Sequence, residues 1–139
     1  MTLRLLLLCC LTLAGCAHAA RDAGNATLGG AVQHPAHVVP AMRICAVPAD
    51  GGAAICVDKP AHAGLWRLSV PAGEYQVFAW PSRGDDGTGA YLQPVQCIRA
   101  PCPPMPATVR VRAGEVRDDL DLTGFDPART DLPAAPPAR

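Results

Sequence analysis

Proline and glycine interrupt this chain so often that no amphipathic helix of useful length fits between them. The 139 residues include 15 Pro and 13 Gly. What survives between the breaks is a series of short strand-like stretches. A weak strand with two glycines is predicted over 28–32, followed by strands over 42–47 and 54–58. Residues 65–70 alternate cleanly, with Trp66, Leu68 and Val70 on one side and Arg67 and Ser69 on the other. A turn at Pro71, Ala72 and Gly73 leads into 74–80, which is rich in strand formers. Val109 and Val111 point inward over 108–112, with Arg110 and Arg112 outward. After a turn at Ala113 and Gly114 the pattern resumes over 116–122, with Leu120 and Leu122 inward and Asp119 and Asp121 outward. This arrangement predicts cross-strand pairs of Arg110 and Arg112 with Asp119 and Asp121. Short, regularly punctuated strands of this kind predict an all-β sandwich of about seven strands.

Charge narrows the function classes. Twelve basic residues balance twelve acidic ones, which excludes a nucleic-acid binder acting through a cationic face. The length suits a single domain.

The first residues read as an export leader. Arg4 supplies a positive start, and residues 5–13 are apolar apart from Thr12. The stretch falls well short of the ~20 apolar residues a bilayer span needs. It exits through Leu13-Ala14-Gly15-Cys16, which resembles the lipobox of bacterial lipoproteins. The resemblance implies that residues 1–15 are a cleaved lipoprotein signal peptide. It also implies that Cys16 becomes an acylated N-terminus carrying a thioether-linked diacylglycerol and a palmitate-like amide chain, which anchors the protein in the lipid bilayer. An ordinary leader cleaved after Ala17, Ala19 or Ala20 would discard Cys16 instead. Several acyl chains make attachment effectively permanent, because each buried methylene contributes about 0.8 kcal/mol. Ala17 follows the cysteine where the family uses Asp for inner-membrane retention, so the resemblance implies an outer-membrane lipoprotein facing the periplasm or the cell surface.

Export sets the redox compartment. Cys9 and Cys10 leave with the leader and Cys16 is acylated, leaving Cys45, Cys56, Cys97 and Cys102. Four cysteines in an oxidising compartment predict two disulfides, for which three connectivities are open. A hairpin turning at Asp50-Gly51 pairs residues whose numbers sum to 101, which sets Cys45 directly opposite Cys56. Cys97 and Cys102 then close a small loop. Zinc ligands usually come as closely spaced cysteine pairs, and the spacings here differ. His18, His34, His37 and His62 lie in Ala- and Pro-rich stretches without supporting carboxylates, so no metal and no cofactor is expected.

The expected organisation is a tether over 16–27, a sandwich over 28–125 carrying an insert at 81–106, and a disordered Pro- and Ala-rich tail over 126–139. The sandwich resembles the carboxypeptidase regulatory-like domains, small transthyretin-like modules. The resemblance rests on Gly30-Ala31-Val32, Pro40-Ala41-Met42-Arg43-Ile44, Leu68-Ser69-Val70-Pro71-Ala72-Gly73-Glu74-Tyr75-Gln76-Val77 and Val109 to Glu115. In the most specific of these segments, Pro71 presets a turn, Gly73 supplies a positive φ and an inward Tyr75 anchors the next strand. The resemblance implies a non-catalytic envelope module.

Little in the sequence points to catalysis. Ser69 and Ser82 lack a strained nucleophile turn. The run from Asp85 to Gly89 lacks the alternating ligands of a calcium loop, and Asp118, Asp119 and Asp121 read as an outward strand face. The expected function is therefore a non-enzymatic, membrane-anchored binding or structural module with an envelope protein or glycan as partner. Arg99, Trp80 and Tyr91 are the candidate contact residues. The alternative is a periplasmic protease inhibitor that presents Arg99 on the rigid Cys97–Cys102 loop.

Overall fold

A computed structural model describes residues 24–83, 86–99 and 102–136. Its ten strands are β1 (Asn25–Ala31), β2 (Met42–Pro48), β3 (Ile55–Lys59), β4 (Leu65–Pro71), β5 (Gly73–Pro81), β6 (Thr88–Gln93), β7 (Met105–Pro106), β8 (Val109–Val111), β9 (Val116–Arg117) and β10 (Leu122–Asp126). They form two open sheets of a small β-sandwich, with no helix among the described residues. The small sheet runs β4-β1-β9. The large one runs β10-β6-β5-β2-β3, with β7 added to β6 and β8 to β5.

Alternation sets which side chains meet between the sheets. Trp66, Leu68 and Val70 of β4 are buried and Arg67 and Ser69 exposed, as the pattern predicts. Ala26 and Leu28 of β1 lie opposite Val70 and Leu68. From the large sheet, Met42, Ile44, Ala46, Tyr75, Val77, Ala79, Val109 and Val111 complete the core with Leu120 and Leu122. The Trp66 indole N–H donates to the Leu120 carbonyl at 3.3 Å. At the sharp β4–β5 turn the Tyr75 hydroxyl donates to the Pro71 carbonyl at 2.9 Å, a tyrosine-corner device that pins one strand to the end of the last. Gly73 serves this turn differently from the expectation. Its φ is not positive, and a Cβ there would sit 3.2 Å from the Tyr75 ring, so Gly73 makes room for the ring.

Several boundaries move. Asn25, Ala26 and Thr27, expected in the tether, belong to β1. The expected strand over 116–122 splits into β9 and β10, which lie in different sheets. β8 and β9 likewise sit in different sheets, because the chain crosses between layers at Gly114 (φ 76°). The predicted Arg–Asp ladder therefore does not form. Arg110 pairs with Glu74 on the adjacent β5, Arg117 pairs with Asp119 at 2.8 Å, and Asp121 accepts from the Ala31 backbone N–H at 2.9 Å. The 81–106 insert contributes β6, an internal strand between β10 and β5. Only 94–104 is a true excursion.

Residues 126–136 of the segment expected to be a disordered tail are described and in contact with the sandwich, while 137–139 lie outside the described residues. Leu132 is 9% exposed and packs with Cys45, Phe78, Trp80 and Ala90 on the outer face of the large sheet. This contact has no periodic signature, because a single leucine among prolines makes it.

Lys59 is the one buried charged residue among those described, at 5% exposure. It ends β3, the edge strand of the large sheet, at the inward register position facing Met42. Its ammonium donates to the Pro60 carbonyl at 3.3 Å. An inward lysine on an edge strand discourages edge-to-edge association. Burial pushes the Lys59 ammonium below its ordinary range. Between that lowered value and the ordinary lysine range the unfolded chain holds the extra proton, so stability rises with pH across the window.

Two predictions follow from the packing. A Cβ at Gly30 would overlap the Leu120 carbonyl group, whereas one at Gly64 meets nothing within 4 Å. Gly30→Ala should therefore lose about 1–3 kcal/mol in urea unfolding, and Gly64→Ala should stay within about 0.5 kcal/mol of the parent. Lys59→Met should raise the urea midpoint near neutral pH. That advantage should shrink as pH climbs toward the lysine range, and gel filtration should show more self-association.

Candidate functional site

The β2–β3 hairpin turns where Asp50-Gly51 requires it. Gly51 takes φ 83°, its N–H donates to the Pro48 carbonyl at 3.1 Å, and the Asp50 carboxylate accepts from the Gly52 N–H at 3.1 Å. Asx capping of this kind fixes the turn and therefore the register. Cys45 then faces Cys56 directly, with Cα atoms 4.0 Å apart and a disulfide between them. Cys45 is fully buried on the outer side of the sheet and Cys56 is exposed. Two residues away on the same side, Arg43 donates to both Asp58 oxygens, at 2.8 and 3.1 Å. That hydrogen bond, and the neighbouring charge, raise the Arg43 pKa and lower that of Asp58.

The second disulfide closes a loop carried on a strand pair. β6 and β7 align Leu92 with Pro106 and Gln93 with Met105, which ties the base of the 94–104 excursion. Cys97 and Cys102 bridge across it with Cα atoms 6.0 Å apart. Ile98 is fully exposed, Arg99 lies beside it on the surface, and Val95 and Met105 are also exposed. No carboxylate occurs from Gln93 to Met105, so the tip is apolar with one cation. Ile98 is a contact candidate that sequence reasoning passed over. Its place beside Arg99 between two closely spaced cysteines was the available signal.

The other candidate contact residues are not at this tip. Trp80 was expected at the surface, but it is 8% exposed. Its ring lies 5.9 Å from that of Phe78, and its N–H donates to the Pro133 carbonyl at 2.9 Å. Residue 80 points outward from the sheet, but the segment after β10 covers that side. Tyr91 is half-buried against the main core, opposite Leu122. The structure brings together Cys97, Cys102 and Arg99, and separately Cys45, Cys56 and Trp80. Cys16 and the leader at 1–15 lie outside the described residues, as does Asp85.

Groups with chemical potential are dispersed. Asp118 pairs with Arg67 at 3.1 Å, while Asp119 goes to Arg117 and Asp121 to the β1 backbone and Gln33. The hydrogen bond from Arg117 holds the Asp119 carboxyl below its usual range. His34 packs on Phe125 with ring centroids 4.8 Å apart, and its Nδ1 accepts from the Ala36 N–H at 3.2 Å. Among the described residues no three His, Cys, Asp or Glu side chains converge as a metal site would require. Two open depressions, of about 610 and 620 Å³, share the β4–β5 turn as one wall. Their shared carboxylate, Glu74, is held by Arg110. No family model, curated protein or solved structure matches the chain.

The two disulfides differ in what they hold. Chain entropy assigns about 3 kcal/mol to the bridge spanning eleven residues and about 2 kcal/mol to the one spanning five. Cys45→Ala/Cys56→Ala also opens space beside Phe78, so it should cost more in urea than Cys97→Ala/Cys102→Ala. The latter should unfold with unchanged cooperativity. A difference no larger than the roughly 1 kcal/mol that chain entropy supplies would show that the outer cluster adds nothing.

Proposed function

We propose that this chain is an envelope lipoprotein, anchored in the outer membrane through an acylated Cys16, that performs no chemistry and binds a periplasmic or surface partner through the 94–104 loop. The carrying observation is the loop itself. It is tied at its base by β6 and β7, closed by Cys97–Cys102, and tipped by an exposed Ile98 and Arg99. A bridged loop loses little conformational entropy on binding, and an exposed aliphatic flanked by a cation suits a protein surface with an apolar pocket and a carboxylate. The anchor reading is supported by the leader and by Leu13-Ala14-Gly15-Cys16. Support for a carboxypeptidase regulatory-like module comes from the open sandwich and the Tyr75 turn.

Exposed Arg99 on a closed loop also favours the second reading, a periplasmic inhibitor of trypsin-like proteases. Blocking lipoprotein signal peptidase should make the full-length precursor accumulate, and Cys16→Ala should leave the membrane fraction. Unchanged processing and partitioning would overturn the anchor. Crosslinking in intact envelopes should capture a partner that Ile98→Asp loses. Inhibition of a trypsin-like protease, abolished by Arg99→Ala, would decide for the inhibitor.

A further inference from the structure

The large sheet is apolar on both sides along β5, and the small sheet covers only one of them. On the other side Phe78, Trp80, Cys45 and Ala90 form a cluster that the chain itself closes with Leu132. This cover is not a strand: the described residues after β10 pair with no sheet. It is held instead by one seated aliphatic side chain and by the Trp80 N–H on the Pro133 carbonyl. Pro133, Ala134 and Ala135 around that carbonyl are exposed. Arg129 secures the start of the segment, pairing with Asp131 at 2.6 Å and donating to the Pro104 carbonyl at 3.1 Å. An indole that binds a main-chain carbonyl next to proline, beside a pocket for one apolar side chain, is how aromatic grooves read extended proline-containing peptides. Nothing in this contact depends on the covalent connection through β10.

We propose that the outer face of the large sheet is a docking groove for an extended Leu-Pro peptide segment of another polypeptide, and that residues 127–136 occupy it in cis and hold it self-inhibited. The leucine seats in the cluster of Cys45, Phe78, Trp80 and Ala90, and Trp80 supplies the donor that selects a carbonyl at the following proline. A competing segment must displace the tethered one, so the unmodified chain binds weakly and a released chain binds strongly. The inference does not rest on the membrane anchor or on partner binding at the tip of the 94–104 loop.

The test uses the full chain and a synthetic peptide of residues 130–136. The chain has two tryptophans, so its two indole N–H signals in NMR separate the groove from Trp66, which is buried in the main core. A short tether gives the cis segment an effective concentration on the order of millimolar. In Leu132→Ser, where the groove starts open, titration with the peptide should shift the Trp80 signal and leave Trp66 in place, while the unmodified chain should take up labelled peptide only above that level. Leu132→Ser should bind labelled peptide at least tenfold more tightly than the parent. A peptide with serine in place of its leucine should lose at least tenfold on that variant. An unmoved Trp80 signal in folded Leu132→Ser at millimolar peptide would overturn the proposal. Equal affinity of parent and a folded Leu132→Ser would do so as well. Concentration-dependent dimerisation of Leu132→Ser without peptide binding would also overturn it, in favour of exchange between copies.

Discussion

β5 is buried on both of its faces, and the architecture follows from satisfying both. Tyr75, Val77 and Ala79 look into the sandwich, while Phe78 and Trp80 look the other way. An antiparallel sheet ordinarily covers one face and solvates the other. Here the second face also excludes water, so two sheets do not complete the fold. The third layer is thin: Leu132 and the Pro133 carbonyl laid across the outer cluster. The same strand carries the longest register in the large sheet, pairing with β2 from Tyr75 to Pro81. It receives β8 at one end of its other edge and β6 further along.

Stability resides in this packing more than in charge. Each large side chain withdrawn fully from water contributes about 1.5–3 kcal/mol, and Leu28, Met42, Ile44, Leu120 and Leu122 are all withdrawn. The ion pairs, from Arg43–Asp58 to Arg117–Asp119, sit at the surface, where such contacts contribute at most about 1 kcal/mol each. Their arrangement follows the sheets. Arg43 meets Asp58 and Arg110 meets Glu74 because strand register places them side by side.

Local signals in the sequence were legible and long-range ones were not. The alternation of Trp66, Leu68 and Val70 needs only its own strand, and the Cys45–Cys56 register needs only its own turn. β6 was missed because Gly89 and Ala90, small and weak strand formers, sit where Phe125 and the outer cluster press close. Their suitability depends on partners far away in sequence. The Arg110 and Arg112 pairings failed for a related reason: a turn at Gly114 looks the same whether the chain returns along its own sheet or crosses to the other. Burial of Trp80 was invisible because its cover comes from residues that have no period of their own. Of the candidate site, the bridged loop and Arg99 were readable from cysteine spacing. The full exposure of Ile98 required the fold.

β1 lies between β4 and β9 in the small sheet, bonded antiparallel to one and parallel to the other. The strand matches seven residues of β4, from Asn25 against Pro71 to Ala31 against Leu65. A pull entering the domain at Asn25 travels along the strand axis, at right angles to those interstrand bonds. The rungs are then loaded together in shear and not unzipped one after another. Mechanical tension applied from that end meets the stiffest direction the small sheet offers.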